Sequence, residues 1–238
     1  MVKKEFPGAR VLRMDMDTTK NKGGHEKILK AFADHKADIL VGTQMIVKGH
    51  DFPRVTLVGI VAADLSLHVG DFRASERTFQ LLCQAAGRAG RDSIPGEVVI
   101  QTYQPEHYSI TYAAAGDYES FYEKEILFRK MMNYPPVAHI MLALIISKDE
   151  EKADKGIEYL GQELKKWVDE NDPEIQVIGP APASLAKAND TYRRVIYAKH
   201  KKYDILIELK NILDQEFSES EFKQDCSLQF DFNPMTSY

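Results

Sequence analysis

The stretch Gln84-Ala85-Ala86-Gly87-Arg88-Ala89-Gly90-Arg91 sets two guanidinium groups three residues apart, behind a glutamine and among small residues. A guanidinium is a planar fork of donors that grips phosphate oxygens bidentately, so this spacing suits a polyanion such as a triphosphate. Apolar residues recur at helical intervals through 71–87, and Gly87 stands where such a helix would end or loosen. On a continuing helical turn Arg88 and Arg91 leave the same side. A solvated Arg-Gly turn after an amphipathic helix uses the same residues, and the stretch by itself does not choose between the two.

A second set of residues lies upstream. Two short apolar runs, Ile39 to Val41 and Val55 to Ala63, predict buried parallel strands rather than alternating exposed ones. Gly42-Thr43-Gln44 then falls at a strand's carboxyl end, the edge at which open α/β sheets take ligands. A glycine there lets backbone approach a phosphate, and the Thr43 hydroxyl offers it a hydrogen bond. Lys48-Gly49-His50-Asp51-Phe52-Pro53 turns the chain back toward the next strand, a task that an ordinary Gly/Pro loop also performs.

Taken together, GTQM-x-x-KGHDFP, the ADLSL-x-x-x-DFR-x-x-ER run at Ala63 to Arg77 and QAAGRAGR at Gln84 to Arg91 resemble the second helicase lobe of the primosomal protein N′ family. These are superfamily-2 replication-restart helicases, whose arginine-bearing motif reads QxxGRxxR. The resemblance continues through Gly96 to Thr102, Gln104-Pro105-Glu106-His107, Arg129-Lys130-Met131-Met132 with Pro135-Pro136, and Gly179-Pro180-Ala181-Pro182, so it spans nearly the whole chain.

The resemblance implies an ATP-driven 3′-to-5′ DNA helicase that loads the replication machinery at stalled forks, using ATP and magnesium. It implies that Arg88 and Arg91 stabilise charge on the γ-phosphate and that Gln84 positions the phosphates or water. Gly49, Asp51 and Gly87 fall on the nucleotide side, Asp51 either touching nucleotide or coupling the lobes. Thr43, Gln44 and Lys48 face the DNA backbone. Forked or single-stranded DNA, primosome proteins and single-strand-binding proteins are the implied partners, in the cytoplasm. The family's structural zinc sits in cysteine clusters inserted early in this lobe. Cys83 and Cys226, isolated and in apolar contexts, cannot supply those four ligands, so no metal site is expected here and the cysteines are expected reduced.

Other features set limits. A motor also needs a GxxxxGK[ST] phosphate loop, and no Gly-Lys-Ser/Thr occurs in this sequence. Asp169-Glu170-Asn171-Asp172 superficially matches a DExD box, but it follows a polar helical stretch and precedes Pro173, which reads as a helix-terminating loop. The chain is therefore expected to carry half a motor, equivalent to a C-terminal portion, and to be inactive alone as an ATPase. A module that binds DNA or primosome proteins without motor activity is the alternative. No apolar run reaches the roughly 18 residues of a membrane span. Net charge is −5. Residues 1–105 carry 15 Lys and Arg against 12 Asp and Glu, whereas the remainder carries 16 against 24, so any DNA site in the second half must be local.

The elements that position these residues follow an α/β pattern. Strands at Ala9 to Met14, Asp38 to Val41, Val55 to Val61 and Gly96 to Gln101 alternate with helices near His25 to His35 and Phe72 to Ala86, which predicts a partial RecA-like parallel-sheet lobe over 1–105. Asp15, Asp17, Thr18 and Thr19 after the first strand read either as a nucleic-acid-facing loop, by the resemblance, or as a helix cap. Residues 106–136 predict a helical connector whose Phe121, Tyr122, Ile126, Leu127 and Met131 form a core stripe. Over 137–238 the order is strand (Val137 to Ser147), helix (Glu150 to Glu170), strands (Gln176 to Pro180 and Thr191 to Lys199), helix (Lys202 to Phe217) and strand (Cys226 to Asn233): an α+β, ferredoxin-like βαββαβ domain. In it Lys187, Tyr192, Arg193 and Arg194 gather in a hairpin-like connection, where cations and an aromatic suit single-stranded DNA, although a solvated loop with a half-buried tyrosine fits equally. The resemblance favours DNA.

Overall fold

The computed structural model describes residues 2–19, 23–47, 52, 54–90 and 95–235. By contacts the chain divides into two units, residues 1–69 with 73–122 and residues 70–72 with 123–238.

In the first unit a short α1 (Val2–Glu5) precedes β1 (Val11–Met14), α2 (Gly24–Ala33) and β2 (Ile39–Gly42). β3 (Leu57–Ile60), α3 (Ala74–Ala86), β4 (Glu97–Ile100) and α4 (Tyr108–Ala115) follow. The strands pair in parallel, β1 with β2 and β3 with β4, as two separate pairs among the described residues rather than the single sheet expected. Nor are β2 and β3 buried on both faces. Leu57 and Val99 stand 59% and 50% exposed on one side of the β3/β4 pair, while Ile60 and Ile100 on the other side meet the core of Phe79, Leu82, Ile110, Ala113 and Phe121. α3 and α4 cover that one side, and half-buried strands alternate. A separate core of Met14, Leu29 and Phe52 joins α2 to β1 and β2.

An ion pair fixes where β1 and β2 begin. Arg10 donates from Nε and Nη2 to both oxygens of Asp38 at 3.0 and 2.7 Å and from its backbone N–H at 2.8 Å. These bonds, the side-chain one foremost, hold the Asp38 carboxyl at about 2. Because the folded value lies below the unfolded one, this pair stabilises the fold above about pH 4, and that contribution is lost as pH falls through the folded value. A carbon-detected titration should place Asp38 near 2 and return it toward about 4 in Arg10→Ala.

The second unit takes most of α5 (Tyr118–Met131), then β5 (His139–Ser147), α6 (Glu150–Asn171), β6 (Gln176–Ala188), β7 (Thr191–His200), α7 (Tyr203–Glu219) and β8 (Cys226–Phe232). Its sheet is antiparallel, in the order β6-β7-β5-β8. α6 and α7 lie on one face, where Leu160, Leu164, Leu206, Leu209 and Leu213, at helical spacing, are fully buried against Met141, Ala143, Ile145 and Ile196. Each such leucine contributes roughly 1.5–3 kcal/mol of burial. Asp149 caps α6 by accepting from the Lys152 N–H at 3.2 Å. At the other end the helix continues through Asn171, with Asp172 as C-cap, so Asp169 to Asn171 form its last turn rather than a loop.

Two expectations in this unit change. β6 does not stop at Pro180 but runs to Ala188 as an edge strand, the place in a sheet that tolerates Gly179, Pro180 and Pro182. And α5 does not bury its apolar stripe: Phe121 is 3% exposed, whereas Tyr122, Leu127 and Met131 are 52%, 51% and 68% exposed. The buried positions i+4 and i+8 from Phe121 are instead Glu125 and Arg129. Arg129 Nε donates to Glu125 at 2.7 Å, and Nη1 donates to the Pro135 carbonyl at 2.9 Å. Its guanidinium also lies 5.4 Å from the Phe72 ring centroid, and Phe72 stacks on Tyr134. This ion pair holds the Tyr134-Pro135-Pro136 bend. Both cysteines are free thiols.

Candidate nucleotide and nucleic-acid site

The arginine motif sits at the carboxyl end of α3. Thr78, Phe79, Leu82 and Ala85 turn that helix's apolar face into the core, which leaves Gln80, Gln84 and Gly87 exposed along the opposite side. Gln84 is exposed on the last turn of α3, while Arg88, two residues past the helix end, is half-buried with its Nε away from solvent. Past Ala86 the chain does not continue as helix. Gly87, Arg88 and Ala89 donate their N–H groups to Cys83, Ala85 and Ala86 at 3.0, 3.0 and 3.1 Å, and Gly90 then enters the left-handed region at φ 69°. The Gly90 N–H reaches the Val55 carbonyl at 3.0 Å. A Cβ on Gly90 would stand 2.5 Å from Gly96 N, and one on Gly96 would collide with Gly90 N and Ala89. Two glycine backbones thus meet and pull the motif away from the helix axis. The expectation that a continuing helical turn brings Arg88 and Arg91 to one side is corrected for the backbone through Gly90. Arg91 lies outside the described residues, as do Lys48, Gly49 and Asp51.

Thr43 and Gln44 are exposed at the carboxyl end of β2, where a 3-10 turn over Gln44–Val47 begins and the Ile46 N–H bonds the Thr43 carbonyl at 3.1 Å. Gly42 is paired with Met14, and a Cβ there would collide with the Met14 carbonyl. That register brings the turn after β1 to the same edge. In it Asp15 and Thr18 bond each other reciprocally, backbone to side chain, at 2.8 and 3.0 Å, and Thr19 Oγ1 donates to the Asp15 carbonyl at 2.7 Å. The Thr18 N–H, with Arg13 adding its charge, lowers the Asp15 carboxyl below its ordinary range. These residues cap their own turn and not α2, whose N-cap is Gly23.

At the end of the β6/β7 hairpin the four expected residues do not form one exposed cluster. Asn189 and Asp190, at φ 50° and 57°, make a two-residue turn of the kind that joins twisted strands, so the residues on either side are in sheet register. Lys187 faces Tyr192, its Nζ 4.7 Å from the ring centroid and 3.2 Å from the hydroxyl. Arg193 and Arg194, adjacent in a strand, leave opposite faces of the sheet. Arg194 is 6% exposed and its guanidinium is held by Asp154 and Glu150 of α6, Nη2 to Glu150 at 3.1 Å. Those bonds, Asp154 first, raise its pKa further and keep it charged. Its expected place in an exposed loop is therefore corrected. Arg193 is half-buried opposite Ile146 of β5.

Sequence reasoning did not single out Lys199 and His200. Lys199 is buried, with Nζ donating to the Met132 carbonyl at 3.2 Å and lying 3.9 Å from the Tyr134 ring centroid, and burial lowers its pKa. Its place directly after the apolar run Val195 to Ala198 in a central, fully paired strand was the available signal.

Two family models match the chain. Residues 1–93 match the helicase conserved C-terminal domain, and residues 130–235 match the primosomal protein N C-terminal domain. The chain belongs to the PriA family. It is 45% identical over 232 residues to the replication restart protein PriA of Bacillus subtilis (strain 168), covering 97% of this chain and 28% of that one. The PriA proteins of Synechocystis sp. and Chlamydia muridarum are 37% and 36% identical, over 98% of this chain in each case and 27% and 30% of theirs. The chain thus spans less than a third of the length of these relatives. The helicase match ends two residues beyond Arg91, so it contains the whole arginine motif, and the second match begins one residue after Arg129. No helix among the described residues is long and apolar enough to cross a membrane.

Proposed function

We propose that this chain supplies the arginine side of the ATP site, and part of the DNA-binding surface, to an ATP-dependent 3′-to-5′ helicase acting in replication restart and primosome assembly. The observation that carries this reading is the place of the arginine motif at the end of α3, with Gln84 exposed on the last turn and Arg88 on the turn that follows, within the segment matched to the helicase C-terminal domain. The donor set fits a triphosphate: a guanidinium and a side-chain amide, beside a glycine with no side chain to obstruct approach. A guanidinium and an amide offer no carboxylate oxygen to a magnesium ion. Arg88 and Arg91 would neutralise charge building on the γ-phosphate, Gln84 would orient phosphate or water, and Asp51, Gly49 and Gly87 would line the nucleotide. Magnesium would be held by groups outside this chain.

Thr43, Gln44 and Lys48 would follow the DNA backbone from the carboxyl edge of β2. In the second unit the strand order and βαββαβ connectivity support a ferredoxin-like assignment. Its DNA contact would be the tip of the β6/β7 hairpin, with Lys187 on a phosphate and Tyr192 against a base from one face and Arg193 on a phosphate from the other. Primosome and single-strand-binding proteins are the expected protein partners.

Two measurements test this. Phosphate release by the isolated chain should stay at background with or without single-stranded DNA, and DNA-stimulated turnover by the chain alone would overturn the division of the motor. Fluorescence anisotropy on forked and single-stranded DNA should give weak binding with a salt slope of about −1.4, the value for two neutralised phosphates on a single strand. A Lys187→Ala/Arg193→Ala variant should lose it. Unchanged affinity and slope in a variant with an unchanged melting temperature would remove the hairpin from the DNA surface.

A further inference from the structure

The end of the second unit's sheet opposite the β6/β7 hairpin tip brings together three side chains that the helicase reading does not employ. Asp172 is the C-cap of α6, Glu174 lies two residues on, and His200 ends β7. One ligand atom from each lies within 4.8 Å of the others. Asp172 spends Oδ1 on the turn, accepting from the Glu174 N–H at 3.1 Å, and turns Oδ2 toward the imidazole, 3.5 Å from His200 Nε2. The His200 side chain is 5% exposed.

We infer that Asp172, Glu174 and His200 form a binding site for a divalent first-row metal ion of the zinc class. Two features carry this. First, the donor set of one imidazole and two carboxylates is three protein ligands, which leaves a fourth position to water, and imidazole disfavours magnesium and calcium. Second, the separations fit. Zinc bonds of about 2.0–2.2 Å set tetrahedral ligands about 3.4 Å apart. The 3.5 Å between Nε2 and Oδ2 matches that edge, while it is long for a direct N–H···O bond, usually about 2.7–3.2 Å. Glu174 is exposed, with a ligand oxygen within 4.8 Å of the other two, and the site requires its side chain to close on the ion. On the far side of the ring the Lys202 N–H donates to His200 Nδ1 at 3.1 Å and the Lys202 carbonyl stands 3.2 Å away, so a metal at Nε2 requires Nδ1 to exchange the first contact for donation to the carbonyl.

The ion would be structural. It would join the α6-to-β6 turn, which carries two of the ligands, to the start of the β7-to-α7 turn, and so close one end of the sheet. Binding does not depend on nucleotide or DNA, so its test stands apart from that of the helicase reading.

The test uses the full chain stripped with EDTA and titrated with zinc chloride by calorimetry, then with cobalt(II), read by its visible ligand-field bands. Wild type should take up one equivalent and melt about 5–10 °C higher at zinc 100-fold above Kd. Glu174→Gln, a surface change, should weaken zinc at least 10-fold and reduce the cobalt bands, and His200→Gln should weaken it about 100-fold. If His200→Gln does not fold, Glu174→Gln and Asp172→Asn decide. Zinc affinity within twofold of wild type in both carboxylate variants, each melting as wild type does without metal, would overturn the site, as would the absence of a one-to-one zinc complex in wild type.

Discussion

Arg88→Ala, placed in a protein that carries the complete helicase, is expected to lower ATP turnover by about 10³-fold or more, the range over which an arginine finger acts in phosphoryl transfer. The loss should fall in kcat. Arg88 stands on a turn whose shape is set by backbone bonds of Gly87, Ala89 and Gly90, so removing its side chain leaves that turn in place. DNA affinity should therefore stay within about twofold. Arg88→Lys should not restore turnover, since an ammonium is a point charge without the fork geometry. Steady-state phosphate release at saturating DNA checks this, and wild-type kcat in both Arg88→Ala and Arg91→Ala would end the assignment.

Arg129→Ala is expected to destabilise the second unit by about 3–5 kcal/mol, because it leaves the carboxylate of Glu125 buried without its cation. The two side chains are 9% and 7% exposed, so water does little to soften the loss. Arg129 also holds the Pro135 carbonyl, and that acceptor is orphaned with it. Urea unfolding of the variant should show a lower midpoint. Substituting both partners together, Glu125→Leu with Arg129→Met, should recover most of the stability, since two apolar groups of similar volume incur no desolvation penalty. A double variant no more stable than Arg129→Ala would show that the arginine acts through the bend at Pro135 rather than through the ion pair.

The second unit was legible in its sequence because its signals are local and strong. The helix from Glu150 was readable from its acidic first turn and leucine spacing, and β5 from an unbroken apolar run that a central strand with both faces covered requires. The hairpin was less so. Reading Gly179-Pro180-Ala181-Pro182 as a strand end is reasonable for a central strand, but β6 is an edge, and there prolines forgo hydrogen bonds that nobody else would receive. Once Asn189-Asp190 became a tight turn, alternation alone separated Arg193 from Arg194, a distinction invisible while the stretch was treated as a loop. α5 failed for another reason. Periodicity finds a stripe but assumes that charge faces water, and Glu125 with Arg129 satisfy each other inside. In the first unit the motif residues were singled out by type and spacing, but the path of the chain after Ala86 was not legible, because it depends on Gly90 meeting a glycine six residues later.

That meeting of Gly90 and Gly96 bears on how tolerant the motif is to change. Neither residue has a side chain to offer a ligand, and Gly96 lies outside the pattern by which the motif is recognised. Yet any larger residue at 96 would press on the backbone of Gly90 and Ala89 and tilt the platform from which Arg88 projects. A saturation scan scored for growth should therefore find position 96 as intolerant as the arginines themselves, a catalytic phenotype arising from a residue with nothing to donate.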